Sequence, residues 1–160
     1  MEIQFGQTIP KGYVIEIETW ENDGDNYKTQ TIFGVEEQEI QQYKYILELF
    51  QGSHCNNRDK CGNSEWDKVQ DLIIVHIESG VKSGQLTPEF LDKVLGIENL
   101  ETLIEEGDDK QEFELLCSLQ ELLGEPVEYD SDFMRVVSWV KLYIIEEEIQ
   151  IPNVKALDML

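Results

Sequence analysis

Between Glu98 and Asp132 the sequence places thirteen acidic residues against a single base, Lys110, a net charge of −12 in 35 positions. If this stretch is helical, Glu98, Glu101 and Glu105 stand three and four residues apart on one face, where like charges repel. Solubility alone is served by mixed signs, so the run needs a second explanation. Three readings fit it: a solvated face of an acidic protein, a surface that replaces phosphates in a basic cleft, or a store for metal and counter-ions. The second has a physical drive, because releasing counter-ions from a basic partner favours binding as strongly for carboxylates as for DNA and steers the encounter. The residues assigned to that surface are Glu98, Glu101, Glu105, Glu106, Asp108, Asp109 and Glu112, with Glu21, Asp23 and Asp25 as a second patch.

Other groupings carry chemistry more weakly. Glu21-Asn22-Asp23-Gly24-Asp25-Asn26 gathers three carboxylates and two amides, oxygen ligands that Ca²⁺ accepts. Their order lacks the alternate ligands and distant Glu of a calcium helix-loop-helix, and an Asx-rich hairpin turn accounts for them. His54, Cys55 and Cys61, with His76, supply zinc-type donors, yet five residues separate the cysteines and no second pair follows, which is not a finger or ribbon spacing. A Cys-His nucleophile and base would need a third, orienting group. Carboxylate pairs able to hydrolyse glycosides arise by chance among 34 acids. Phosphate-cradling Gly-rich loops, Gly-x-Ser-x-Gly elbows and His-Glu-x-x-His helices are absent from the sequence. The expectation is a non-enzymatic protein with no cofactor and no metal.

The elements that must position these groups follow from hydrophobic period. Tyr13, Ile15 and Ile17 alternate with Val14, Glu16 and Glu18, and a second alternating run follows from Tyr27 to Phe33, which predicts a β-hairpin ended by Gly34. Ile40, Tyr43, Leu47 and Phe50 recur at helical spacing behind Glu36 and Glu37, with Gly52 as the stop. Residues 52–63 read as a loop. Ser64 and Asp67 open a second helix through Trp66, Val69, Ile73 and Ile77, buried around Leu72 to Val75, and Thr87-Pro88-Glu89 starts a third that Gly96 closes. Two more helices, over 98–106 and from Asp108 to Leu123, form an αα-hairpin. Residues 133–145 fit either period, and their Val, Ile, Trp and Tyr content favours a strand. The expected architecture is a single α+β domain over 1–160: one small antiparallel sheet, made of the N-terminal hairpin and the C-terminal strand, covered by four or five helices.

Composition bounds the partners. The chain has 34 acidic and 12 basic residues, net −22 on 160. Duplex DNA carries one phosphate per about 1.7 Å of axis, so as many phosphates span about 37 Å, and a domain of this length is about 40 Å across. Such charge destabilises the compact state and disfavours direct contact with nucleic acid or an anionic membrane. Three cysteines, an odd number, suit free thiols in a reducing compartment. The start MEIQFG has neither a basic nor an apolar signal region, and the longest plain apolar run is Leu72 to Val75. A soluble, cytoplasmic protein is expected.

The segment GYVIEIETWENDGDNYKT, residues 12–29, resembles the opening of small acidic proteins encoded by bacteriophages, a family without an assigned activity. The composition is similar to that of viral DNA-mimic inhibitors of restriction, CRISPR and recombination nucleases. That similarity implies a mode of action: a phage-type inhibitor, working in the host cytoplasm, whose carboxylates occupy the basic nucleic-acid site of a nuclease, restriction or CRISPR effector. Two other classes stay open, a module that binds a host enzyme through an apolar surface and a metal-dependent enzyme.

Overall fold

Alternation of apolar and polar side chains around Ile15 and Ile17 turns one face of a strand toward a core, and that constraint organises the molecule. A computed structural model describes residues 4–21, 27–50, 66–96, 118–119, 121–123 and 135–160. In chain order the elements are β1 (Thr8–Ile9), β2 (Gly12–Glu21), β3 (Tyr27–Val35), α1 (Glu37–Leu49), α2 (Trp66–Ser83), α3 (Pro88–Leu95), β4 (Arg135–Ile145) and β5 (Ile149–Gln150). β2 is the centre of a three-stranded antiparallel sheet of order β3-β2-β4, and β1 pairs with β5 in a separate two-stranded sheet.

Three helices and two antiparallel sheets among the described residues overturn the expectation of one sheet beneath four or five helices. The second sheet pairs Thr8 with Gln150 and Ile9 with Ile149. Two-residue strands are too short to carry a period, so nothing in their sequence marks them. The helices expected over 98–106 and 108–123 lie outside the described residues except at 118–119 and 121–123. Gly34 does not end β3. It sits inside the strand at φ 65°, where Tyr13 faces Val35 but Ile15 faces Ile32, a bulge that needs a left-handed residue.

The register sets Tyr13, Ile15 and Ile17 beside Ile144, Leu142 and Val140 on one face. Ile17 is fully buried, 0% exposed, in a core with Tyr43, Ile46, Phe50, Ile77, Leu91, Leu119 and Leu123. Tyr43 and Phe90 meet edge to face with centroids 4.9 Å apart. α1 ends at Leu49 rather than at Gly52, because the Phe50 carbonyl accepts the Val137 N–H (2.9 Å) and ties the helix end to β4. In α2 the expected burial through Val75 fails: Ile74 faces inward but Val75 is 56% exposed, since a helix cannot turn four successive residues inward.

α3 begins with Thr87, whose hydroxyl accepts the Phe90 N–H at 3.3 Å, and ends at Gly96 in the left-handed conformation, φ 63°. Thr87 also reaches across to α1, donating its N–H (2.8 Å) and its hydroxyl (3.2 Å) to Gln42 Oε1. The cap therefore fixes one helix and docks it on another.

Candidate acidic interface

The carboxylates assigned from sequence fall almost entirely on residues that the structure does not describe. Glu98, Glu101, Glu105, Glu106, Asp108, Asp109 and Glu112, with Asp23 and Asp25, lie outside the described residues. Glu21 is the last residue of β2, in register with Arg135 of β4. The donors His54, Cys55 and Cys61 are likewise outside the described residues. Among the described residues no group of three His, Cys, Asp or Glu side chains could hold a metal ion.

What the described residues do bring together is a second set of acids. β2 starts, and β3 and β4 end, at one end of the sheet, because Tyr13 pairs with Val35 and Gly12 with Ile145. The residues that follow are Glu36 and Glu37 on one side of β2 and Glu146, Glu147 and Glu148 on the other, and all five are exposed. Adjacent strands lie about 4.8 Å apart, so β3 and β4, two spacings from each other, deliver these carboxylates to one end of the molecule. Three consecutive glutamates after a strand were a visible signal, eclipsed by the denser run at 98–132. Glu16 and Glu18 stand on the sheet face opposite the core, opposite Lys141 and Trp139 of β4. There the Tyr143 hydroxyl donates to Glu16 (3.4 Å), and Lys141 Nζ lies 4.7 Å from the Trp139 ring centroid, a cation–π contact.

The ion pairs between described residues involve other carboxylates. Lys44 reaches Glu48 at 3.9 Å and Lys82 reaches Glu78 at 2.6 Å, each one helical turn apart and exposed enough to contribute little. Lys93 Nζ and Glu39 Oε2, 2.8 Å apart, join α3 to α1. Glu39 is 6% exposed, and its other oxygen accepts the Glu36 N–H at 3.0 Å. Burial pushes its carboxyl up, but the hydrogen bonds from Lys93 and from the Glu36 backbone outweigh that, and the group is held below its ordinary value. Burial, then the charge of Glu39, push the Tyr43 phenol up. These shifts belong to the packing of α1 on α3.

No protein-family model, curated protein or solved structure matches this chain. α1 and the β2–β4 ladder leave a groove of about 390 Å³, floored by Ile15, Ile40, Leu47, Val140 and Leu142 with Lys44 and Glu48 among its lining residues. Among the described residues no helix is long and apolar enough to cross a membrane.

Proposed function

We propose that this protein is a non-enzymatic acidic inhibitor that occupies the basic nucleic-acid-binding site of a host defence or nuclease protein. The observation that carries the reading is the imbalance of 34 acids over 12 bases in a chain that folds, with Glu36, Glu37, Glu48, Glu89, Asp92, Glu121, Glu146, Glu147, Glu148 and Asp158 exposed and Glu16, Glu18 and Glu78 half-buried. A rigid scaffold holds such charges at fixed spacing, as a duplex holds its phosphates, and a basic groove made for one attracts the other. The contact surface is assigned to Glu98, Glu101, Glu105, Glu106, Asp108, Asp109 and Glu112, with Glu21, Asp23 and Asp25 as the secondary patch. The phage resemblance of residues 12–29 supports a host-defence target.

The test is a tagged capture from host lysate at low and high salt, with competition by duplex DNA. The bound protein should be basic, should elute as salt rises, and should be displaced by DNA. Replacing Glu98, Glu101, Glu105 and Asp109 together by Lys should abolish capture while the circular dichroism spectrum is kept. Undiminished capture by that variant refutes the assignment of the surface, and a complex indifferent to salt refutes the mechanism.

The groove between α1 and β4 favours a second reading, a module that grips an apolar segment of a host enzyme. Its complex would survive high salt, whereas the acidic interface would not.

A further inference from the structure

β4 is an edge strand of unusual length and composition. Ten of its eleven residues pair with β2 on one side, Ser138 being skipped at a bulge, and on the other side, among the described residues, the Phe50 carbonyl on the Val137 N–H is the hydrogen bond that reaches it from outside the sheet. From Trp139 to Ile145 the outer edge therefore offers its main-chain groups to whatever strand arrives. The side chains around it are apolar: Val140, Leu142 and Ile144, on the core face, are 38%, 49% and 57% exposed, and Tyr143 on the other face is also exposed. Soluble proteins usually blunt such an edge, and an apolar patch left open on one marks an interface.

Charge says what meets it. Residues 135–160 carry Arg135, Lys141 and Lys155 against Glu146, Glu147, Glu148 and Asp158, a net of −1, so the other 134 residues carry −21. A basic partner is drawn to the rest of the molecule. A second copy of this chain, repelled everywhere else, can approach along this nearly neutral strip.

We propose that β4 pairs antiparallel with β4 of a second copy about a two-fold axis through Leu142, joining two three-stranded sheets into one of six strands. This register uses the free part of the edge, 139–145, and leaves the Val137–Phe50 bond intact. On the core face Leu142 meets its own counterpart, and Val140 meets Ile144 of the second copy. On the opposite face Lys141 meets Tyr143 of the second copy and Trp139 meets Ile145, so the lone cation of the segment faces a ring and no like charges are opposed. Such an isologous contact closes on itself and leaves the remaining edges, the β3 strands, at the two ends. Because the bodies repel, dimerisation strengthens as salt is added and the Debye length shrinks from about 30 Å to about 8 Å, opposite to the capture of a basic partner.

Sedimentation of the full chain from about 1 μM to about 1 mM is expected to show a particle of twice the 18.6 kDa chain mass, more populated at higher salt. Leu142→Glu and Leu142→Lys, at a half-exposed position, should each remain folded by circular dichroism. Each should weaken the dimer by about 30-fold or more through the loss of two buried leucines, and mixing the two should restore it, since the residue faces itself. Hydrogen exchange in the unmodified protein should show the edge amides within 139–145 slowing as concentration rises. A wild-type chain that stays monomeric throughout, a dimer untouched by the single substitutions, or a mixture that fails to reassociate would overturn the proposal. If both variants unfold, the exchange measurement decides alone: amides insensitive to concentration refute it.

Discussion

Replacing Lys93 by Met isolates one electrostatic contact, because it keeps the stem of the side chain and removes its ammonium from Glu39, 2.8 Å away. Stripping the partner from a fully buried carboxylate costs about 3–5 kcal/mol. Here Glu39 is 6% exposed but the Lys93 side chain is 59% exposed, so water screens the pair and Glu39 keeps its bond from the Glu36 N–H. The discounted loss is about 1–2 kcal/mol, or about 2–8 °C in melting temperature for a chain of this size. The sign with pH is fixed. Glu39 is held below its ordinary 4.5, so its contribution is complete above that value and disappears as pH falls through the lower, folded-state value. Lys93 is raised above 10.5, chiefly by its hydrogen bond to Glu39, so its contribution is complete below 10.5 and disappears as pH rises through the folded-state value. The gap between wild type and Lys93→Met should therefore be flat between these limits and close in acid. Urea titrations at pH 7 and at strongly acidic pH, with Glu39→Gln and the double variant completing the cycle, measure it. A gap that persists unchanged after Glu39 is protonated, or a zero coupling energy at pH 7, refutes the reasoning.

Two other substitutions test the packing. Gly80→Ala would gain about 1 kcal/mol in helix propensity, yet its new Cβ would lie 2.9 Å from both Leu86 Cδ1 and the Tyr45 ring. That ring is anchored by a 2.6 Å bond from its hydroxyl to the His76 carbonyl, so an overpacking cost of about 1–3 kcal/mol should win, and a lowered urea midpoint is expected. Thr87→Ala removes the cap on Phe90 N–H and the hydroxyl bond to Gln42, which should cost about 1 kcal/mol and lower the melting temperature by about 2–4 °C.

Local period made much of the secondary structure legible. Tyr13, Ile15 and Ile17 alternate so regularly that β2 could be placed within a residue or two, and Thr87-Pro88 marked the start of α3. What period cannot report is who sits beside whom. Val140, Leu142 and Ile144 show a strand, but nothing in them says that it takes an outer position, because strand order is decided by distant packing. Glu39 occupies a helix's first turn, where a solvated acid is the ordinary reading; its burial depends on a lysine 54 residues away. The two-residue strands β1 and β5 leave no trace for the same reason. Of the acidic interface, density of charge was legible and geometry was not: the run at 98–112 could be counted, while the placement of Glu36, Glu37, Glu146, Glu147 and Glu148 at one end of the sheet needed the register of three strands.

Pairing β2 with β4, and β1 with β5, ties residue 8 to 150 and residue 12 to 145, and this has a consequence for how the molecule is made. The hairpin can close soon after it leaves the ribosome, yet alone it is only marginally stable. Its third strand is synthesised last, and such distant closure is slow. A nascent chain thus carries the bare flank of β2, with Ile15 and Ile17 unsheltered, until β4 has been made. Loss of residues 135–145 would leave the central strand without its neighbour, so a chain that stops before them yields material for proteases rather than a smaller working protein.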